Sequence, residues 1–158
     1  MGDLPFSLEP MPLLGVAVSD FDAEISRYSE LFGVEFRVFT AGVDYHLSYE
    51  SSDAVDTSAP LPANLRLAVD TSDLFELVDL PGVPEGIRNI HYRVDNLELA
   101  VEHFRAKGLT LLHIVRAGLA REAIFDATSL NGVRLCLLAF EGASFAEALA
   151  ASSEPRFS

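Results

Sequence analysis

Several things are scarce in this chain, and each shortage rules something out. Of its 158 residues one is cysteine, Cys136, and none is tryptophan. A lone cysteine forms no intrachain disulfide and builds no thiolate metal cage. Cations are few: 11 Lys and Arg stand against 24 Asp and Glu, a net charge of −13. A field of that sign repels nucleic acid and anionic membrane, and disfavours polyanionic ligands such as nucleotide phosphates. No apolar run approaches the roughly 18–20 residues needed to span a bilayer. The first residues lack the basic start and apolar stretch of a secretory signal. Phe6 stands where a myristoylation motif needs Ser or Thr. The expectation is a cytoplasmic protein. Also missing are a glycine-rich nucleotide loop, a G-x-S-x-G elbow, H-E-x-x-H and C-x-x-C.

What the chain does have is apolar residues, 49% of the total, with a mean hydropathy of +0.25. That is enough for one compact unit with a sizeable core and no covalent staples. It also has an internal repeat. Val16-Ala17-Val18-Ser19-Asp20-Phe21-Asp22 aligns with Tyr92-Arg93-Val94-Asp95-Asn96-Leu97-Glu98, 76 residues later. Ile25 then meets Val101, Tyr28 meets Phe104 and, after one residue of slippage, Gly33 meets Gly108. Further on, Phe75-Glu76-Leu77-Val78 matches Leu135-Cys136-Leu137-Leu138 at an offset of 60.

Each half opens with a strand, about residues 11–18 and 87–94, followed by a helix. Phe21, Ile25, Tyr28 and Phe32 recur at helical spacing; Leu97, Val101 and Phe104 do so in the second half. Ser19 or Asp20 can cap the first helix and Asp95 or Asn96 the second, with Gly33 and Gly108 ending them. Residues 34–40 and 43–50 read as strands around Ala41-Gly42, and 64–70 and 74–80 as a hairpin. In the second half 109–116, 120–126 and 133–140 fill the same roles. Asn131-Gly132 predicts a two-residue hairpin turn, because both residues tolerate positive φ. The aperiodic stretch 51–63 reads as a loop insertion, a candidate lid. The division expected is residues 1–83 and 84–142 as two βαβββ modules, with 143–158 a helical tail.

A strand-helix-three-strand unit used twice, with these strand-to-helix junctions, resembles the vicinal-oxygen-chelate superfamily of glyoxalases, bleomycin-resistance proteins and extradiol dioxygenases. The residues that carry the resemblance are Val16 to Asp22 with Tyr28 and Leu31-Phe32-Gly33. Val94 to Glu98 with Phe104 to Gly108, and Phe125-Asp126 to Leu135, complete it. The resemblance covers about residues 11–140. It implies an α+β fold in which two βαβββ modules form paired curved sheets around a central cavity. It also implies four metal-ligand positions, which fall here on Leu13, Glu76, Asn89 and Cys136. Leucine offers no donor and a neutral amide is a weak one, so the expectation is no metal and no other cofactor. His91, two residues beyond Asn89, shares its strand face but is displaced by roughly 6.6 Å.

A histidine and a carboxylate lining one apolar cavity suggest acid–base chemistry without metal. Glu76 and His91 are the catalytic candidates. Asn89, His46, Arg121, Cys136 and Leu13 are the ligand-binding candidates. Of Tyr45 and His46, alternation sends one inward without saying which. Cys136 reads more simply as a small buried hydrophobe. Arg116, Arg121 and Glu122 flank a turn, where charges usually face solvent, although Arg121 could clamp a carboxylate or carbonyl. Two functions follow. One is a metal-independent isomerase, lyase or cyclase acting on a small, largely apolar carbonyl or hydroxy compound. The other is a non-catalytic binder of cationic drugs, like the bleomycin-resistance members, its acidity drawing the ligand. The expected partner is a small molecule, neither nucleic acid nor membrane, and the chain is compatible with a monomer or a homodimer.

Overall fold

A computed structural model describes residues 3–51 and 61–151. Most of the proposed lid at 51–63 therefore lies outside the described residues. Among those described, nine strands form one curled sheet in the order β2-β4-β5-β1-β6-β9-β8-β7-β3. The elements are β1 (Leu8–Val18), α1 (Phe21–Phe32), β2 (Phe36–Thr40), β3 (Leu47–Ser51), β4 (Arg66–Asp70) and β5 (Phe75–Asp79). The second run is β6 (Gly86–Val94), α2 (Leu97–Ala106), β7 (Leu111–Ala117), β8 (Ala120–Phe125), β9 (Arg134–Ala139) and α3 (Phe145–Ala150). No described helix is long and apolar enough to cross a membrane.

The repeat is visible in the pairing. β1 lies parallel to β5, β6 lies parallel to β9, and β1 and β6 meet antiparallel at the centre. Asp20 caps α1 by accepting from the Ala23 amide, and Gly33 closes it in the left-handed conformation at φ +64°. Asn96 caps α2 in the same way, accepting from Leu99 N–H. Both helices cover the outer face of the sheet. Phe21 packs there with Val16, Ala68 and Leu77, and Leu97 and Val101 with Phe125 and Leu137. The inner face joins the two halves in one apolar cluster, from Leu13, Tyr45 and Leu67 to Leu138 and Leu149 of α3.

Two expectations are corrected. The strand foreseen over 43–50 begins at Leu47 and does not pair with β2; it crosses to the far edge and pairs antiparallel with β7. Only an isolated bridge, Ala41 to Tyr45, remains of the foreseen hairpin. β2 stands at one edge of the sheet beside β4, and β3 stands at the other beside β7. Asn131 and Gly132 do adopt positive φ, +58° and +94°, but not as a two-residue turn. Asn131 caps the single 3-10 turn Ala127–Leu130, which sits within the longer connection from β8 to β9.

Candidate active site

Two irregularities in the central β1–β6 pairing aim the side chains of the site. On β1 the register jumps between Met11, opposite His91, and Leu14, opposite Ile90. Pro12, which has no N–H, and Leu13 are the extra residues. The Leu13 carbonyl accepts from Nδ1 of His91 at 2.8 Å. On β6 the register jumps again, between Asn89 opposite Gly15 and Ile87 opposite Val16, leaving Arg88 as a bulge. A bulge breaks strict alternation, so Arg88 and its neighbour Asn89 both reach the cavity. Gly15 is required at this crossing, because a Cβ there would lie 2.8 Å from Cβ of Asn89. On β5, Glu76 is placed by the tight turn before it. The buried carboxylate of Asp70 accepts from Leu74 N–H at 2.9 Å and Phe75 N–H at 2.8 Å, and also from the Ser72 hydroxyl.

The bond to Leu13 fixes the imidazole so that Nε2 points at two carboxylates. Glu76 Oε1 lies 3.6 Å away and Glu122 Oε2 3.5 Å away. This Nε2 is buried and makes no hydrogen bond within normal distance. A neutral imidazole with its proton on Nδ1 would turn a lone pair towards two negative groups, so protonation of the ring is favoured. Burial opposes the charged ring, but Glu122, Glu76 and the Leu13 carbonyl outweigh it and raise the His91 pKa to about 9. Glu76 is pushed up to about 7, by burial first, while His91 pulls it down and Glu122 pushes it up. The Cys136 thiol is raised by burial first and then by the two carboxylates, so it stays protonated.

The carboxylates open onto a small, partly enclosed cavity of about 50 Å³. Glu76, Glu122, Asn89 and Tyr45 supply its polar lining, together with Arg88 and Arg134. Leu47, Leu61, Leu67, Val115, Ile124 and Phe145 supply the apolar wall. Tyr45 donates to the Leu65 carbonyl at 3.2 Å, and burial raises its phenol pKa. Asn89 Oδ1 is buried without a partner.

The structure separates the residues proposed from sequence. Glu76 and Asn89 line the cavity, whereas His91 sits behind the carboxylates and is not part of the lining. Cys136 is fully buried beside Glu122. Leu13 packs in the core and contributes only its carbonyl. His46 is exposed; Tyr45 is the member of that pair that turns inward. Arg121 points away from the cavity. It makes a two-pronged ion pair with Glu50 at 2.9–3.2 Å and bonds Glu98 at 2.6 Å, bracing β3, β8 and α2.

Glu122, read from sequence as a turn charge, is instead an inward group. The signal was available, because Arg121 and Glu122 are adjacent on a strand and must face opposite ways. Arg134 was also readable, since it shares the face of Cys136 two residues on. Arg88 was not, because its orientation depends on the bulge.

The four ligand positions implied by the resemblance do not make a metal site here. Leu13 provides no side-chain donor, and the Asn89 oxygen is the unpartnered atom described above. A different set, His91, Glu122 and Cys136, brings its ligand atoms within 4.8 Å of one another.

No family model and no curated protein matches the chain. Solved structures do. A variant of Streptomyces coelicolor methylmalonyl-CoA epimerase in complex with 2-nitronate-propionyl-CoA superposes with a TM-score of 0.58 at 19% identity, covering 86% of this chain and 97% of that one. Methylmalonyl-CoA epimerase from Mycobacterium tuberculosis gives 0.55 at 16% identity, over 90% and 93% of the two chains. A 4-hydroxymandelate synthase mutant from Streptomyces coelicolor gives 0.58 at 12% identity, over 92% of this chain and 55% of that one. These proteins share the vicinal-oxygen-chelate fold, and this chain has it as well.

Proposed function

We propose that this chain, built on the vicinal-oxygen-chelate fold, is an enzyme that moves a proton at a carbon next to a carbonyl, an isomerase or lyase that works without a metal. The observation that carries the reading is the convergence of Glu76 and Glu122 on the buried Nε2 of His91 at the wall of a partly enclosed cavity. A general base works best when its pKa lies near the working pH. Glu76, at about 7, meets that condition. In the step proposed, the Glu76 carboxylate takes a proton from substrate carbon. The C–H bond breaks, an O–H bond forms on Glu76, and the electron pair moves into the carbonyl to give an enolate. Return of a proton to carbon, from Glu76 or through Glu122 from the Nε2 proton of His91, completes an isomerisation; loss of a β-leaving group completes an elimination. His91 is a positioning residue, because it lies behind the carboxylates and sets how protons are shared between them. The Asn89 amide is placed to contact a substrate oxygen.

A second reading rests on the His91, Glu122 and Cys136 group. Within it the His91 and Glu122 donor atoms lie 3.5 Å apart, close to the edge of a tetrahedral site, about 3.4 Å for bonds of about 2.1 Å, and the Cys136 sulfur lies within 4.8 Å of both. Against it, Arg88 and Arg134 already bring positive charge to the same cavity and the thiol is held protonated. The arginines also weigh against a cationic drug as ligand.

The test is deuterium incorporation from D2O into small ketones and oxo acids, followed by proton NMR. The wild type should catalyse exchange at the carbon next to the carbonyl, with no response to a chelator. Glu76→Gln should lower the rate by roughly 100-fold or more while leaving ligand affinity within a few-fold. Exchange that is absent, or equal in wild type and Glu76→Gln, contradicts the proposal. Exchange lost on chelation supports the metal reading instead.

A further inference from the structure

In a chain with a net charge of −13, two arginines line the cavity that holds Glu76 and Glu122. Neither Arg88 nor Arg134 makes an ion pair among the described residues. The other arginines nearby behave differently: Arg116 and Arg121 both engage Glu50. Arg88 and Arg134 lie on adjacent strands, β6 and β9, with Arg134 paired directly to Asn89. They are close enough that burial and the charge of Arg134 both lower the basicity of Arg88. The same charge, after burial, lowers that of the buried His113, whose Nδ1 has no partner. The bulge aims Arg88 at the cavity, where it breaks the alternation of β6. Two guanidinium groups held side by side give this end of the cavity an anion-attracting character. A guanidinium presents a planar fork that matches a carboxylate.

We infer that Arg88 and Arg134 form a carboxylate-binding subsite facing Glu76 and Glu122, so that the substrate is a small organic acid whose reacting C–H lies next to a carbonyl. This rests on the proton-transfer reading and names its substrate class. The carboxylate fixes one end of the molecule, and the opposite end, with its C–H, is presented to Glu76.

Binding of 2-oxobutanoate and of its methyl ester, measured by calorimetry on the full chain, tests the assignment. The wild type should bind the acid and prefer it to the ester by 10-fold or more. Arg134→Gln and Arg88→Gln should each lose at least roughly 10-fold in affinity for the acid while melting near the wild-type temperature, and Arg134→Lys should recover part of it. Glu76→Gln should keep acid binding and lose exchange. An acid that binds through the arginines but never exchanges its protons leaves the subsite standing and removes the proton-transfer reading. The subsite is overturned if the ester binds as well as the acid, if neither binds the wild type, or if the arginine variants keep full affinity. Inorganic phosphate that displaces the acid at lower concentration than the acid itself would overturn the carboxylate assignment.

Discussion

His91 shows how one backbone contact determines the chemistry of a whole cluster. Because Nδ1 donates to Leu13, Nε2 is committed to the two carboxylates. The consequence for stability has a definite sign. His91 rises from 6.5 to about 9 and Glu76 from 4.5 to about 7, so the folded state holds more protons than the unfolded state between about pH 4.5 and 9. Stabilisation from His91 is complete below its unfolded pKa and is lost as pH rises through about 9; Glu76 adds a loss between 4.5 and about 7. Chemical denaturation followed across pH 5 to 9.5 should show wild-type stability falling with pH. The double variant Glu76→Gln/His91→Gln should follow a flatter curve. Parallel curves would mean that the cluster does not bind protons as described.

At the scale of elements, the β1–β6 crossing positions the site. Gly15 makes room for Asn89 there, and a methyl group would meet its Cβ at 2.8 Å. Gly15→Ala should destabilise the protein by about 1–3 kcal/mol, read as a lower denaturation midpoint with an unchanged slope. It should also weaken ligand binding by displacing Asn89. An unchanged midpoint would show that the crossing yields more easily than its packing implies. This crossing also marks the limit of what the sequence could tell. The helices were legible because Phe21, Ile25 and Tyr28, and Leu97, Val101 and Phe104, follow the helical period beside good caps. Glu76 and Asn89 were legible because the resemblance implies ligand positions that fall on them. Irregularities of register were not legible. A one-residue bulge has no compositional signature at Arg88, and the jump at Pro12–Leu13 moved His91 behind the carboxylates rather than to the cavity wall. The path of β3 was hidden for a related reason. Edge pairing is a long-range outcome, and Leu47–Ser51 carries strand propensity without naming a partner.

For the molecule as a whole, the interior carries a different charge from the exterior. The chain is acidic overall, yet Arg88, Arg134 and a protonated His91 face Glu76 and Glu122 in one small space. The anion-repelling character inferred from net charge therefore describes the surface and not the cavity. The proton-transfer reading depends on His91 being a buried imidazolium. Nitrogen-15 NMR of the imidazole rings at pH 7 measures this most directly. The account predicts that His91 shows both ring nitrogens protonated and keeps that signature until about pH 9, with no change when a chelator is added. A His91 ring that is neutral at pH 7, or one whose Nε2 signal shifts on removal of a metal, would contradict it.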